Sequence, residues 1–214
     1  MAGLLVILVG PAGAGKTTLA HRLIGARPNR RGFSVSHTTR PMRATEVHGV
    51  DYFFVDTAAF LALRDADGFA ECAQVHGNWY GTSKAEIGRL TKDGGDVLFD
   101  VDIVGAHNLW RAYPDAARLV FVLPPSWPVL VQRLRDRGSE TEQTLRRRLR
   151  TARQELCGVV ESAAPWQVIV NADLDAAAAQ LEVLMAGSSD ATPARDHPVL
   201  QGCLRAAEAD PLAA

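Results

Sequence analysis

Lysine is scarce in this sequence. Of 23 basic residues only Lys16, Lys84 and Lys92 are lysine, so 23 − 3 = 20 are arginine. A lysine retained at position 16 among so many arginines points to a place where a compact ammonium is needed and a planar fork is not. An excess of either charge is also missing: the formal net charge is -1. That removes the main electrostatic reason to expect nucleic acid or an anionic membrane as partner. Cysteine is rare, and Cys72, Cys157 and Cys203 show no CxxC or Cys/His spacing. An odd, scattered set argues against a disulfide framework or a zinc site. It reads as free thiols in a reducing compartment, and a cytoplasmic location is predicted. Long apolar runs are lacking too. The run Leu4-Leu5-Val6-Ile7-Leu8-Val9 is too short to span a membrane and is read as a core strand, not a signal peptide. No repeat is evident.

What is present is a chain of 214 residues, 47% hydrophobic and 22% charged, which suits one soluble α/β domain with insertions. Its most informative stretch follows that first strand. Gly10-Pro11-Ala12-Gly13-Ala14-Gly15-Lys16-Thr17, with Thr18 next, has the spacing of a phosphate loop between a buried strand and a helix start. Glycines remove side chains so that backbone N–H groups converge on phosphate oxygens, and the helix N-terminus adds partial positive charge. Lys16 is placed to reach β- and γ-phosphates and the Thr17 hydroxyl to ligate Mg²⁺. The simpler alternative is a Gly-rich turn that only joins strand to helix.

Further along, a helix is expected from about Lys16 to Ile24 and an alternating strand over Phe33–His37. Arg40 and Arg43 flank a stiff polar loop suited to a dianionic phosphate, with Tyr52 as a further donor. A solvated basic loop is the competing reading. Short strands over Tyr52–Val55, Phe69–His76 and Trp79–Thr82 suggest a largely antiparallel insertion, with a turn at Gly77-Asn78. The run from Asp96 to Asp102 is read as a strand ending in two carboxylates that share a face. Asp100 is the candidate for holding a hydrated magnesium shell beside Thr17, and Asp102 for facing the acceptor. An N-cap aspartate is the alternative there. Buried strands follow at Leu119–Leu123 and Gln167–Val170. Ser139 to Glu142 has capping-box spacing ahead of a helix with Leu145, Leu149, Ala152 and Leu156 on one face. Arg133, Arg137 and Arg148 belong to an arginine-rich pair of helices fit to close over a triphosphate, or else only a solvated face. Asp173 is expected to cap a helix through about Met185. From Gly187 onward the composition predicts a flexible tail with one possible helix, Val199 to Ala207.

From Leu4 to about Met185 these residues together resemble the guanylate kinase family. The resemblance rests on the phosphate loop, Phe33-Ser34-Val35-Ser36 with Thr38-Thr39-Arg40 and Arg43, and Gly49-Val50-Asp51-Tyr52. It continues through Glu71, Gly77-Asn78-Trp79-Tyr80-Gly81-Thr82, Asp100-Val101-Asp102, Arg137-Gly138 and Ile169-Val170-Asn171. It implies a three-layer parallel-sheet core of the phosphate-loop NTPase kind at 1–34, 93–124 and 156–186. A mixed or antiparallel GMP-binding insertion at 35–92, a helical lid at 125–155 and a flexible tail at 187–214 complete the expectation. The implied activity is ATP-dependent phosphorylation of GMP with Mg²⁺. By match of position, Ser36, Glu71 and Thr82 resemble the guanine readers. Arg40, Arg43, Tyr52 and Tyr80 resemble the clamp on the GMP phosphate. Arg133, Arg137 and Arg148 resemble the lid arginines, and Asn171 falls where the family contacts adenine.

The chemistry agrees. One carboxylate can accept from guanine N1 and the exocyclic amine together, and adenine lacks that donor pair. Val104, Thr45, Ala172 and Cys72 depart from the family pattern and leave the fine tuning of acceptor and adenine contacts open. A ribose 1,5-bisphosphate kinase and a non-catalytic peptide-binding module of the same fold are the alternatives. No nucleic-acid or membrane partner is expected, and a monomer or homodimer is.

Overall fold

The computed structural model describes residues 3–75, 77–136, 141–187 and 192–213. In chain order β1 is Leu5–Val9, α1 Lys16–Ala26, β2 Arg31–Phe33, β3 His37–Thr38, β4 Phe53–Phe54 and α2 Thr57–Asp65. Next come β5 Phe69–Val75, β6 Asn78–Ser83, α3 Lys84–Thr91, β7 Asp96–Asp100 and α4 Ile103–Ala112. β8 Ala117–Leu123, α5 Trp127–Asp136, α6 Glu142–Glu161, β9 Gln167–Val170, α7 Leu174–Met185 and α8 Pro198–Ala209 complete the described elements. The strand order is β2-β7-β1-β8-β9 in one sheet and β4-β3-β6-β5 in a second. The α/β class expected from the sequence is therefore the observed one. β1 is buried along its whole length, as a strand with helices over both faces must be.

The chain divides into two compact units: residues up to Ile7 with Ile24–Ala117, and Leu8–Leu23 with residues from Arg118 on. In the first, β2 pairs parallel with β7, Arg31 opposite Asp96 and Phe33 opposite Leu98. Ser34 extends the ladder by donating to the Leu98 carbonyl at 2.9 Å. The continuous strand expected over Phe33–His37 is instead two pieces. β2 ends at Phe33, and the chain then crosses to the second sheet, where His37 pairs with Gly81.

The second sheet is mixed: β3 pairs parallel with β4 and antiparallel with β6, and β6 pairs antiparallel with β5. On one face Phe60 stacks on Phe69 (4.4 Å between centroids) and on Trp79 (5.8 Å). His37 lies against Phe53 and Phe69 on the same side, and burial lowers its pKa. Asp56 caps α2 by accepting from the Ala59 N–H.

In the second unit β8 pairs parallel with β9 from Val120–Gln167 to Leu123–Val170. The predicted stripe of α6 is buried: Leu145, Leu149, Ala152 and Leu156, joined by Val159. Its cap differs from expectation. Thr141, not Ser139, accepts from the Thr144 N–H, and Ser139 and Glu140 lie outside the described residues. Asp173 caps α7 over the span expected.

The region expected to be an open tail carries α8. Leu200, Cys203 and Ala207 recur at helical spacing and all are buried. α8 packs on α5 and α6, and the Trp127 indole N–H donates to Asp210 at 2.8 Å. Composition pointed the other way because the stripe is only three small or medium apolar residues long.

Candidate active site

The phosphate loop in the second unit is held by its own glycines. Gly10, Gly13 and Gly15 have φ of 144°, 90° and 89°, values that L side chains rarely adopt. At two of them a Cβ has no room: at Gly10 it would fall 2.2 Å from the Val122 carbonyl oxygen, and at Gly15 2.4 Å from Asn171 Nδ2. The spacing of glycines in the sequence is therefore a map of what the loop is pressed against. Ala14 N–H donates to the Pro11 carbonyl at 3.0 Å and closes the turn. Lys16 Nζ donates to the Gly10 carbonyl at 2.6 Å, so its ammonium is held over the loop. Thr17 and Thr18 are exposed at the start of α1. Arg133, on α5, donates to the Asn171 carbonyl at 3.0 Å, and the Asn171 side-chain amide donates to the Ala14 carbonyl at 2.9 Å. Arg148 is half-buried on α6, whereas its neighbour Arg146 forms an exposed ion pair with Glu142. Arg137 lies outside the described residues.

The first unit gathers the other predicted residues. The β5–β6 hairpin carries a bulge between Phe69 and Glu71: Phe69 faces Ser83, yet Glu71 faces Thr82. This extra residue sets the Glu71 carboxylate opposite the Thr82 hydroxyl, which donates to it at 2.8 Å. Since His37 pairs with Gly81, Ser36 stands one step along, level with Thr82. Thr82 and Glu71 thus face each other across β6 and β5, with Ser36 just before β3 on the neighbouring side of β6. Tyr80 shares the Thr82 face of β6, two residues away.

Glu71 is 8% exposed. Burial, and then the nearby Asp102 charge, push its pKa up to about 7, against the opposing hydrogen bond from Thr82. Gly105 makes this position possible, because a Cβ there would lie 2.9 Å from Glu71 Oε2.

Asp102 departs from expectation. β7 stops at Asp100, and Asp102 is the N-cap of α4, accepting from the Gly105 N–H at 2.7 Å. The two aspartates do not share a strand face. A cap forms because Asp102 meets the unpaired N–H groups of the α4 N-terminus. Asp100 remains at the carboxyl end of β7, near enough to Tyr52 to raise its pKa after burial has done most of the lifting.

The arginine loop contains a partner that the sequence reading passed over. Arg40 Nη2 and Nη1 donate to the two oxygens of Glu46 at 2.7 and 3.0 Å, and Nη1 also to the Pro41 carbonyl at 2.7 Å. The pair holds the Glu46 carboxyl below its usual range and the guanidinium above its own. Arg40 lies 5.5 Å over the Tyr52 ring and near enough to Tyr80 for that residue to help raise the guanidinium pKa, while the Tyr52 and Tyr80 rings are 6.0 Å apart. Glu46 also accepts from the Arg43 N–H at 2.8 Å, leaving that side chain 69% exposed. Arg40, Tyr52 and Tyr80 are brought together; Arg43 is tethered by its backbone N–H, and its exposed guanidinium lies 3.6 Å from Glu46 Oε1. A Glu six residues after an Arg carries no periodic signal, which is why its role needed the folded loop.

Among the described residues no group of three or more His, Cys, Asp or Glu could hold a metal ion. No helix among them is long and apolar enough to cross a membrane.

A family model described as guanylate kinase matches residues 3–188. This chain belongs to the guanylate kinase family. The guanylate kinase of Nitratidesulfovibrio vulgaris is 50% identical over 175 residues, 82% of each chain. That of Anaeromyxobacter dehalogenans is 42% identical over 212 residues, covering 96% of this chain and 91% of the other. A solved guanylate kinase from Anaplasma phagocytophilum superposes with a TM-score of 0.68 at 27% identity, over 91% of this chain and 89% of that one.

Proposed function

We propose that this chain transfers the γ-phosphoryl group of ATP to the phosphate of GMP, and of dGMP, giving ADP and the nucleoside diphosphate in purine nucleotide metabolism. The observation that carries the reading is the Glu71–Thr82 pair. A buried carboxylate with one oxygen engaged by a hydroxyl suits the N1 and exocyclic N–H groups of guanine. Against adenine the charge stays unpaired, a loss on the order of a few kcal/mol. Ser36 adds a hydroxyl level with Thr82, and Asp102 places its cap beside the same carboxylate. Arg40, Tyr52 and Tyr80, with Arg43 reaching from the exposed loop, take the acceptor phosphate. Residues 35–92 thereby act as the acceptor-binding insertion.

On the donor side the amides of Gly10 to Thr17, with Thr18, receive the α- and β-phosphates, and the Lys16 ammonium moves from loop carbonyls to the β/γ oxygens. Arg133, Arg137 and Arg148, in the lid at 125–155, add positive charge around the moving group. Phosphoryl transfer needs alignment and charge more than covalent help, so these groups supply most of the catalysis. Thr17 and Asp100, the latter through water, are hard-oxygen donors of the kind that suit Mg²⁺. When bound, the ion neutralises developing charge on the phosphates. The enzyme works in the cytoplasm as a monomer or homodimer, without nucleic-acid or membrane partners.

A coupled assay offering GMP, AMP and ribose 1,5-bisphosphate separately tests the acceptor, with turnover expected on GMP; turnover on the sugar alone would end the reading. Lys16→Ala is expected to lose several orders of magnitude in turnover with the fold intact. Retained activity would contradict the role of Lys16 and favour the non-catalytic alternative.

A further inference from the structure

We infer that Asn171 is a positioning residue that fixes the shape of the phosphate loop and, through its own backbone, the lid arginine Arg133. The inference rests on reading Gly10–Thr17 as the donor cradle. It differs from base recognition, the role its position suggests by resemblance.

Four contacts meet at this residue. Its backbone N–H donates to the Leu123 carbonyl at 2.7 Å, which ties it to the end of the β8–β9 ladder. Its side-chain amide donates to the Ala14 carbonyl at 2.9 Å, inside the phosphate loop. The same Nδ2 fills the space beside Gly15, where a Cβ would come within 2.4 Å. Its backbone carbonyl accepts from Arg133 Nη2 at 3.0 Å. The residue is 6% exposed, so water competes poorly with the contact to Ala14 and the contact persists.

The consequence concerns the direction of the loop amides. Pulling the Ala14 carbonyl toward β9 turns the Ala14–Gly15 peptide plane, and the Gly15 N–H, its other end, points the opposite way. That N–H is one of those offered to phosphate. Gly15, at φ of 89°, lacks the Cβ that would restrict its backbone torsions, so little in the residue itself holds this plane. Asn171 supplies the restraint from outside. The donor hydrogen is essential; an isosteric oxygen in its place would repel the carbonyl.

The test uses full-length Asn171→Ala and Asn171→Asp, with inorganic tripolyphosphate as a baseless probe. Calorimetry is expected to show tripolyphosphate binding weakened roughly tenfold or more in both variants. GMP binding should be unchanged. Steady-state kcat/KM should fall by the same factor for ATP and for purine riboside triphosphate, which lacks the 6-amino group. Unchanged tripolyphosphate binding, or a fall confined to ATP, would make Asn171 a base reader and overturn the inference. An equal loss of GMP binding would show general unfolding and overturn it as well. The aspartate, nearly the same shape, covers the case in which the alanine variant does not fold. Lys16→Ala serves as the reference: if it binds tripolyphosphate normally, the cradle reading itself is wrong, whatever Asn171 does.

Discussion

Glu71 is a carboxylate placed where ionising it is unfavourable. Its pKa is raised from 4.5 to about 7, chiefly by burial. Between those two values the folded chain keeps a proton that the unfolded chain has released. Stability of the ligand-free protein therefore falls as pH rises through that window and levels off above it. Guanine binding has the opposite slope, because only the ionised carboxylate accepts both base N–H groups. The kcat/KM for GMP is expected to rise as pH passes through about 7. A phosphate monoester also loses its second proton near pH 6, so the informative quantity is the difference between the wild-type and Glu71→Gln profiles. Identical profiles would show that Glu71 does not titrate in the binding step. At this scale the sequence singled out Glu71, Thr82, Arg40, Tyr52 and Tyr80, which the fold brings into two clusters, but not the groups that support them. Glu46, Gly105 and the Ala14–Asn171 contact act through atoms far apart in the chain or through a missing Cβ, and neither leaves a periodic trace.

At the scale of elements, two local devices decide what the strands present. The bulge between Phe69 and Glu71 shifts the register by one residue, so that Glu71 and not Ala70 meets Thr82. Alternation alone identified the strands and gave no hint of the shift. The other device is α8, held on α5 and α6 by a short apolar stripe and by the Trp127–Asp210 hydrogen bond. Leu200 is fully buried there. Leu200→Ala is expected to cost about 2–5 kcal/mol, the range for a buried leucine truncation. Trp127→Phe removes one hydrogen bond and should cost about 1 kcal/mol. Denaturant melts of the two variants check both figures; a Leu200→Ala chain as stable as wild type would mean that α8 is not docked in solution.

For the whole molecule, the two nucleotides should stabilise it independently of chemistry. A ligand at about 100 times its Kd adds about 2.7 kcal/mol. GMP and a non-hydrolysable ATP analogue are each expected to raise the melting temperature. Glu71→Gln should remove most of the GMP shift and keep that of the analogue, and Lys16→Ala should do the reverse. Loss of both shifts in either variant would contradict the assignment of the two residue sets to different ligands. The sequence by itself determined the α/β class, most helix and strand positions and the glycine-rich loop between β1 and α1. Those depend on hydrophobic period and on glycines at fixed spacing, which are properties of neighbouring residues. Only the tertiary structure decided that Asp102 caps a helix, that the final helix docks, and that Arg40 leans on Glu46. Each of these turns on which unpaired N–H, apolar face or charge the folded chain brings within about 3–4 Å, and that distance is not written in any local pattern.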